Sequence, residues 1–346
     1  LRIVYYKNIA RNMLLYDELS KILIAFNDAG IDVIVLKGAF LAETIYKNIG
    51  LRPMGDVDLL IKKEDLQKAK KELVQLRYVP PVIIYPTKWH EKLYEQMQTE
   101  QGEEIPFFNH DKTVKIDVHW DIQSPSSPFQ IDINKFWENA QPVKIVDVEA
   151  QMLAPEDLLL HLCLHLNRHL VNRGTMDYKS YGDIAEVIWH YGEKINWKYL
   201  VQSTKNYGIE EPIYQSLYNV NKYLGAFVPV DVLKAIKTVK SNVNIEDIFK
   251  SSRILEGNLK KRNQWREINY LKRLTKVDGL MNKAHILFGD VFPCKEFMMQ
   301  RYSIRNKKLI GVYYLIRFGT ALHWGINVLW QLLLYPFKFK LKSKKA

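Results

Sequence analysis

Hydrophobic and polar positions change their period near the middle of this chain: the first 150 residues mix helical and strand spacings, and the rest is almost wholly helical. From about Lys7 to Ala29, the positions Ile9, Met13, Leu14, Leu19, Ile22, Leu23 and Phe26 predict an amphipathic helix that Gly30 ends. The run Val33-Ile34-Val35-Leu36, between Gly30 and Gly38, predicts a buried strand. Gly38 then opens a helix over 39–47, which Asn48 and Gly50 close. Pro53 and Gly55 mark a turn into a second strand, Val57 to Ile61. A Lys- and Glu-rich helix over 64–76 turns Leu66, Ala69, Leu73 and Leu76 inward. The pattern assigns no element to 78–101. Strands over 105–108 and 113–120 flank the turn Asn109-His110-Asp111-Lys112, a Ser/Pro loop covers 124–128, and a last strand covers 143–148. After Ala154-Pro155-Glu156-Asp157 come helices over 156–170, 180–191, 196–207, 211–224, 230–239 and 244–251. This change of pattern sets a domain boundary near residue 150, dividing the chain into 1–150 and 151–346.

The chemistry-bearing run is Leu36-Lys37-Gly38-Ala39 followed by Arg52-Pro53-Met54-Gly55-Asp56-Val57-Asp58-Leu59-Leu60-Ile61. Asp56 and Asp58 lie two apart at the start of a strand, so both carboxylates face one side, about 7 Å apart along the backbone. Two divalent ions about 3.5–4 Å apart need such carboxylates to clamp the oxygens of a phosphoryl transfer. A third acid comes from Lys115-Ile116-Asp117-Val118-His119-Trp120, where alternation puts Lys115, Asp117 and His119 on one face. On a neighbouring strand, Asp117 would complete the metal site or accept the nucleophile's proton. Gly38, at a strand-to-helix junction, offers free N–H groups to an anion, and Lys37 and Arg52 add charge there. The structural alternative makes Lys37 and Arg52 counter-ions of an acidic cluster.

Composition narrows the field only modestly. At 346 residues, 47% of them hydrophobic and 25% charged, the chain has material for two domains with real cores. The net charge of +12 is partly local, with five lysines after residue 337 and a basic run from Lys260 to Arg266. Two cysteines, Cys163 and Cys294, exclude a disulfide framework or a cysteine-rich zinc module and suit a reducing cytoplasm. The opening stretch lacks the apolar core of a signal peptide. His161, His165 and His169 share a helix face at a spacing that can bind zinc, but no acidic partner stands in register, so packing is the plainer reading. His165 and Arg168 are candidates to line the cleft. Asp183 reads either as a helix N-terminal charge or as an anchor facing the cleft. The apolar stretch 309–337 is interrupted by Arg317, His323, Asn327 and Gln331, which argues against a spanning helix. It fits an interfacial helix held at anionic lipid by Trp324, Trp330 and Tyr335, or burial against the helical domain or a dimer partner.

Lys-Gly-Ala, then Arg-Pro-Met-Gly-Asp-Val-Asp-Leu-Leu-Ile, then Ile-Asp-Val-His-Trp resemble the uncharacterised nucleotidyltransferase family, a branch of the DNA polymerase beta-like superfamily. The resemblance continues through Leu160–His165, Gly182–Ala185, Phe292-Pro293 and Arg301-Tyr302. It implies an α+β fold, with a small mixed sheet flanked by helices, followed by an all-α C-terminal domain. It also implies transfer of a nucleoside monophosphate from an NTP, ATP the expected one, with release of pyrophosphate. Asp56, Asp58 and Asp117 would hold two Mg²⁺ ions, or Mn²⁺, while Lys37, Gly38 and Arg52 meet the phosphates. His119, His165 and Asp183 would stand on the side of a hydroxyl acceptor: a small molecule, glycan precursor or peptide. The superfamily's phosphate helix usually begins Gly-Ser; here it begins Gly38-Ala39, with Lys37 in compensation. A silent nucleotide-binding scaffold is the first rival, disfavoured by the presence of all three carboxylates. A terminal nucleotidyltransferase acting on RNA is the second, disfavoured because no basic run is interleaved with an aromatic platform. The expected location is the cytoplasm; burial of the apolar segment is the plainer reading, and peripheral membrane contact through 309–346 is the alternative.

Overall fold

The computed structural model describes residues 2–80, 84–93, 106–123, 129–173, 178–238, 277, 279–304, 306–322 and 325. The helix expected over 244–251, the Ser/Pro loop and the lysine tail lie outside them. Helix α1 (Arg2–Asp28) leads into β1 (Val33–Leu36), whose four residues are all buried. Helix α2 follows at once, a turn of α-helix (Lys37–Phe40) continued by a π-helical turn (Leu41–Ile45). Then come β2 (Val57–Ile61), α3 (Leu66–Gln75), β3 (Phe107–Phe108), β4 (Lys115–His119) and α4 (Ile133–Glu138). Strands β5 (Gln141–Ile145) and β6 (Val148–Met152) complete a six-stranded mixed sheet in the order β3-β4-β2-β1-β6-β5. The two central pairings set the site: β1 runs antiparallel to β2, and β2 runs parallel to β4 with Asp58 beside Asp117.

Helices α5 (Pro155–Arg173), α6 (Tyr178–Tyr191), α7 (Trp197–Asn206), α8 (Glu210–Leu224) and α9 (Val230–Ile236) follow, each within a few residues of its expected span. Helices α5, α6 and α8 pack on one another, and α6 also meets the π turn of α2. One contiguous apolar core runs from Leu15 through Ile236. Where the helical layer begins, Asp157 is fully buried and accepts hydrogen bonds from Asn139 Nδ2 (2.9 Å) and the Tyr199 hydroxyl (3.1 Å). A buried carboxylate persists only with such partners.

Contacts divide the chain into Leu1–Pro81 with Gln98–Arg262, and Val82–Met97 with Asn263–Ala346. The boundary expected near residue 150, between 1–150 and 151–346, falls inside the first of these units. A change from mixed to helical pattern marks a change of layer here, because both layers bury their apolar faces in the same core. In the second unit, α10 (Leu280–Val291) passes residues 84–93 at Gly289, where an added Cβ would lie 2.5 Å from Thr87 Cγ2. Helix α11 (Lys295–Arg301) and a helix over 310–322 complete its described part.

The strand expected over 143–148 is in fact the middle of a hairpin. Val146 and Asp147 turn between β5 and β6 with φ of 48° and 61°. Both angles belong to the two-residue turn that favours Asn-Gly, so a β-branched Val there hid the turn from the pattern. Glu43, in the π turn, holds it by accepting the Val146 N–H at 3.0 Å. Val146→Asn should relieve left-handed strain and raise stability by about 0.5–1 kcal/mol. The urea midpoint measures this, and a fall would mean that the half-buried Val146 side chain contributes more by packing than its backbone costs.

Candidate active site

β1 ends at Leu36, and the chain must turn at once to start α2. Lys37 makes that turn with φ of 45°, a left-handed conformation that costs an L-residue about 1–2 kcal/mol. The turn brings the Lys37 side chain back over the sheet, where Nζ donates to Asp58 Oδ1 at 2.7 Å. Gly38 follows under close packing: an added Cβ would lie 2.8 Å from Arg52 Nη1 and 3.2 Å from Met54 Cγ. The glycine thus has a packing reason here, in addition to the phosphate role expected of it.

Arg52 does not direct its charge outward. Nε and Nη2 donate to the two oxygens of Asp183 at 3.1 and 2.7 Å, and Nη1 donates to the Pro53 carbonyl at 3.0 Å. The Tyr46 hydroxyl donates to the same Asp183 carboxylate at 3.0 Å, and Asn12 Nδ2 donates to the Arg52 carbonyl at 2.8 Å. The loop that delivers Asp56 and Asp58 is therefore fastened to α1 and α6. Asp183, expected as a helix-end charge or acceptor anchor, is the buried half of this clamp.

Asp56, Asp58 and Asp117 line one cleft, and each already faces a cation. Asp58 Oδ1 accepts from Lys37 Nζ and, at 3.0 Å, from His119 Nε2. Burial alone would raise the Asp58 carboxyl, but Lys37 and His119 outweigh it and hold it well below the usual carboxylate range. Lys115 Nζ bridges the other two, 2.5 Å from Asp117 Oδ2 and 3.3 Å from Asp56 Oδ2. Burial raises the Asp117 carboxyl, against the opposing pull of Lys115. Burial also works against the Lys115 ammonium, yet Asp117 and Asp56 raise it overall. His119, expected near the acceptor, is instead buried and supports Asp58.

Asp56, Asp58 and Asp117 open into a cleft of roughly 470 Å³. Its opposite wall is made by α5 and α6, with His165, Arg168, His169, Lys179 and Ser180. Arg168 Nη2 donates to His165 Nδ1 at 3.3 Å, which leaves the His165 proton on Nε2. Burial and the nearby Lys37 and Arg168 lower His165's proton affinity strongly and keep the ring neutral. His161, one turn earlier, is buried and lowered for the same reasons, and its Nε2 has no hydrogen-bond partner among the described residues. The rings of His161, His165 and His169 succeed one another at 6.3 and 4.3 Å. Among the described residues no three His, Cys, Asp or Glu side chains converge on a point that holds a metal ion. Lys179 and Ser180 carried no sequence signal, because only the packing of α6 on α5 brings them to the cleft.

The donor set nevertheless suits Mg²⁺ or Mn²⁺: hard carboxylate oxygens from two paired strands, with ammonium nitrogens now seated against them. Lys115 bridges two carboxylates as a cation would.

A search of curated proteins returned no match. Among solved structures, the chain is similar to the antibiotic-resistance factor ANT(2'')-Ia, at 10% identity and a TM-score of 0.38 over 62% of this chain and 98% of that one. It is also similar to an antigenic nucleotidyltransferase-like protein from Paracoccidioides brasiliensis, at 15% identity and a TM-score of 0.36 over 65% and 92%. Neither likeness is close enough to bear on the site. Residues 1–225, which carry the whole sheet, the clamp and the cleft, match the family described as uncharacterised nucleotidyltransferase, and the chain belongs to that family of enzymes.

Proposed function

We propose that the chain moves a nucleoside monophosphate from an NTP, with ATP the expected donor, to a hydroxyl on a small molecule, glycan precursor or peptide. The observation that carries this reading is Asp58 and Asp117 side by side on two paired strands, with Asp56 just ahead of the first, all lining a cleft of nucleotide size. These three side chains would hold two Mg²⁺ or Mn²⁺ ions. The ions would supply charge stabilisation at the α-phosphate and at the departing oxygen. The acceptor oxygen attacks the α-phosphorus, and the bond from that phosphorus to the β-bridging oxygen breaks. Pyrophosphate leaves with the electron pair, and the hydroxyl proton passes to Asp117. The Arg52–Asp183 clamp holds the Asp56–Asp58 turn in position throughout.

The charge of the cleft supports a polyanionic substrate. Its lining carries five cations (Lys37, Arg52, Lys115, Arg168, Lys179) against four carboxylates (Asp56, Asp58, Asp117, Asp183). Two divalent ions raise that excess to a level that a triphosphate offsets and a neutral ligand does not. A catalytically silent nucleotide-binding scaffold is the second reading, favoured by the ion pairs that already neutralise each carboxylate.

Pyrophosphate release separates the two. With each labelled NTP and a cell extract as acceptor source, release and label transfer should require Mg²⁺ or Mn²⁺, stop with EDTA and return on metal addition. Nucleotide binding without metal-dependent release would favour the scaffold, and label on RNA would favour the nucleic-acid enzyme. A cytoplasmic location is supported by two free cysteines, Cys163 buried and Cys294 exposed. Among the described residues no helix is long and apolar enough to cross a membrane. Peripheral contact through 309–346 draws support from exposed Val312, Leu315 and Leu322.

A further inference from the structure

We propose that α10 and the helix over 310–322 together form a docking face that seats on an anionic lipid bilayer. The face rests on the peripheral contact proposed for 309–346, adds α10 to it, and does not depend on the transfer chemistry.

For a helix in water, the one over 310–322 is inside out. Arg317 is its only charged residue, and it turns into its own unit. Its Nε donates to the Asp290 carbonyl at 2.7 Å, and the guanidinium lies 5.3 Å from the centre of the Phe297 ring. The Tyr314 hydroxyl likewise donates to the Pro293 carbonyl at 2.6 Å. These polar side chains thus satisfy carbonyls at the C-terminal end of α10, where a helix leaves acceptors open. The other side presents Val312, Leu315, Ile316, Phe318 and Leu322, each between 43% and 73% exposed. By helical spacing these five positions cover about half of the circumference.

The outer side of α10 is apolar too. Ile286 and Gly289 are buried, Gly289 against Thr87 and His90. Leu280, Met281, Ala284, Leu287 and Phe288 recur at helical spacing on the exposed side. Just beyond α10, Phe292 lies 5.1 Å from Phe288 and stacks with Phe318 at 6.0 Å between ring centres, so the two apolar faces adjoin.

Monomeric soluble proteins seldom expose an apolar patch of more than roughly a few hundred Å². Lipid suits this one better than a second protein chain, because protein interfaces carry about one hydrogen bond per 100–200 Å². On the outer arc of the helix over 310–322 the one polar side chain is Thr320, and its hydroxyl already donates to the Arg317 carbonyl at 2.8 Å. Charge selects the lipid. From Leu280 to Leu322 the sequence holds seven lysines and arginines against two carboxylates, and Lys307 and Lys308 are exposed immediately before Leu309. Cations beside an apolar helix face attract anionic headgroups.

The test uses the full chain with two vesicle probes: phosphatidylcholine alone, and phosphatidylcholine with about one third phosphatidylglycerol. Sedimentation measures binding, and light scattering without lipid measures the oligomeric state. Wild type should bind the anionic vesicles more tightly than the neutral ones, bind less as salt rises, and stay a single chain in solution. Leu315→Gln/Ile316→Gln and Leu287→Gln/Phe288→Gln should each weaken binding by about 10- to 100-fold, the scale of two apolar side chains lost from a buried face. Phe227→Gln/Val230→Gln, at exposed apolar positions of the first unit, should leave binding unchanged, and thermal melts of all three variants should match wild type. If the α10 pair binds like wild type while the 315/316 pair does not, the shared face is overturned and only the contact through 309–346 stands. Failure to bind either vesicle, or an equal loss in the Phe227/Val230 control, would overturn it as well. So would a wild-type dimer that the outward substitutions dissociate, which would assign the face to a second copy of the chain. Metal-dependent label transfer by wild type is a separate readout that none of these outcomes touches.

Discussion

Asn in place of Asp58 should cut nucleotidyl transfer by about 10³-fold, the scale on which one charge-stabilising group at a phosphoryl centre acts. Asp58 is expected to be the costliest single loss because on the proposed reading it would hold the ion directly and because it is the partner of Lys37 and His119. Stability should fall too. Both side chains of the Lys37–Asp58 pair are about a tenth exposed, at 10% and 11%, so the substitution leaves a buried ammonium poorly compensated. Breaking such a pair costs about 3–5 kcal/mol, here toward the lower end because the amide oxygen still accepts a hydrogen bond. Lys37→Met on the Asp58→Asn background should therefore restore much of the unfolding free energy and none of the transfer. Full activity in the single variant would remove Asp58 from the chemistry. Recovery of transfer in the double variant would show that the first loss was one of folding alone. The pair's acid sensitivity has a definite sign. The folded carboxyl lies below its unfolded value of about 3.9, so its contribution is complete at neutral pH and is lost only as pH falls below that value.

The second large effect is acid lability that begins well above the carboxylate range. His161 and His165 both have proton affinities depressed in the folded state, first by burial and then by the positive charge of Lys37. Unfolding restores each to the ordinary value near 6.5, so below about pH 6.5 the unfolded chain binds more protons than the native one. Stability contributed by the neutral rings is present above pH 6.5 and falls as pH drops. Each histidine contributes a slope of about 1.4 kcal/mol per pH unit, so two rings cost about 4 kcal/mol between pH 7.5 and 5. Asp117, Asp157 and Glu43 act in the opposite direction, since burial raises each of them. They titrate from carboxylate values upward and therefore offset the histidines at the acid end of the range. Urea midpoints measured from pH 7.5 to 5 should fall steeply, and His161→Gln should remove about half of the slope. A flat profile in wild type would show that the rings take up protons in the folded chain.

The period-2 alternation of β4 was enough to put Lys115, Asp117 and His119 on one face, because strand geometry is local, whereas Asp56 falls just ahead of β2 and outside its alternation. The helices from α5 to α9 were legible for the same reason, as their apolar stripes repeat within a few residues of sequence. The β5–β6 hairpin was not, since Val146 adopts a turn conformation that its side chain disfavours and that Glu43, 103 residues away, helps to hold. The boundary expected near residue 150 coincides with a change between two layers of different pattern that share one core.

The sequence by itself singled out Asp56, Asp58 and Asp117 as candidates and placed Asp58 and Asp117 on two strands. Tertiary structure alone decided what each charge meets. Alternation orders side chains along one strand but carries no information about the neighbours that strand order and helix packing supply. Arg52 and Asp183 stand 131 residues apart and form one buried clamp. His119 shares a face with Asp117 but passes to Asp58 across the β2–β4 pairing. Lys179 and Arg168 reach the cleft only because α5 and α6 pack together above the sheet.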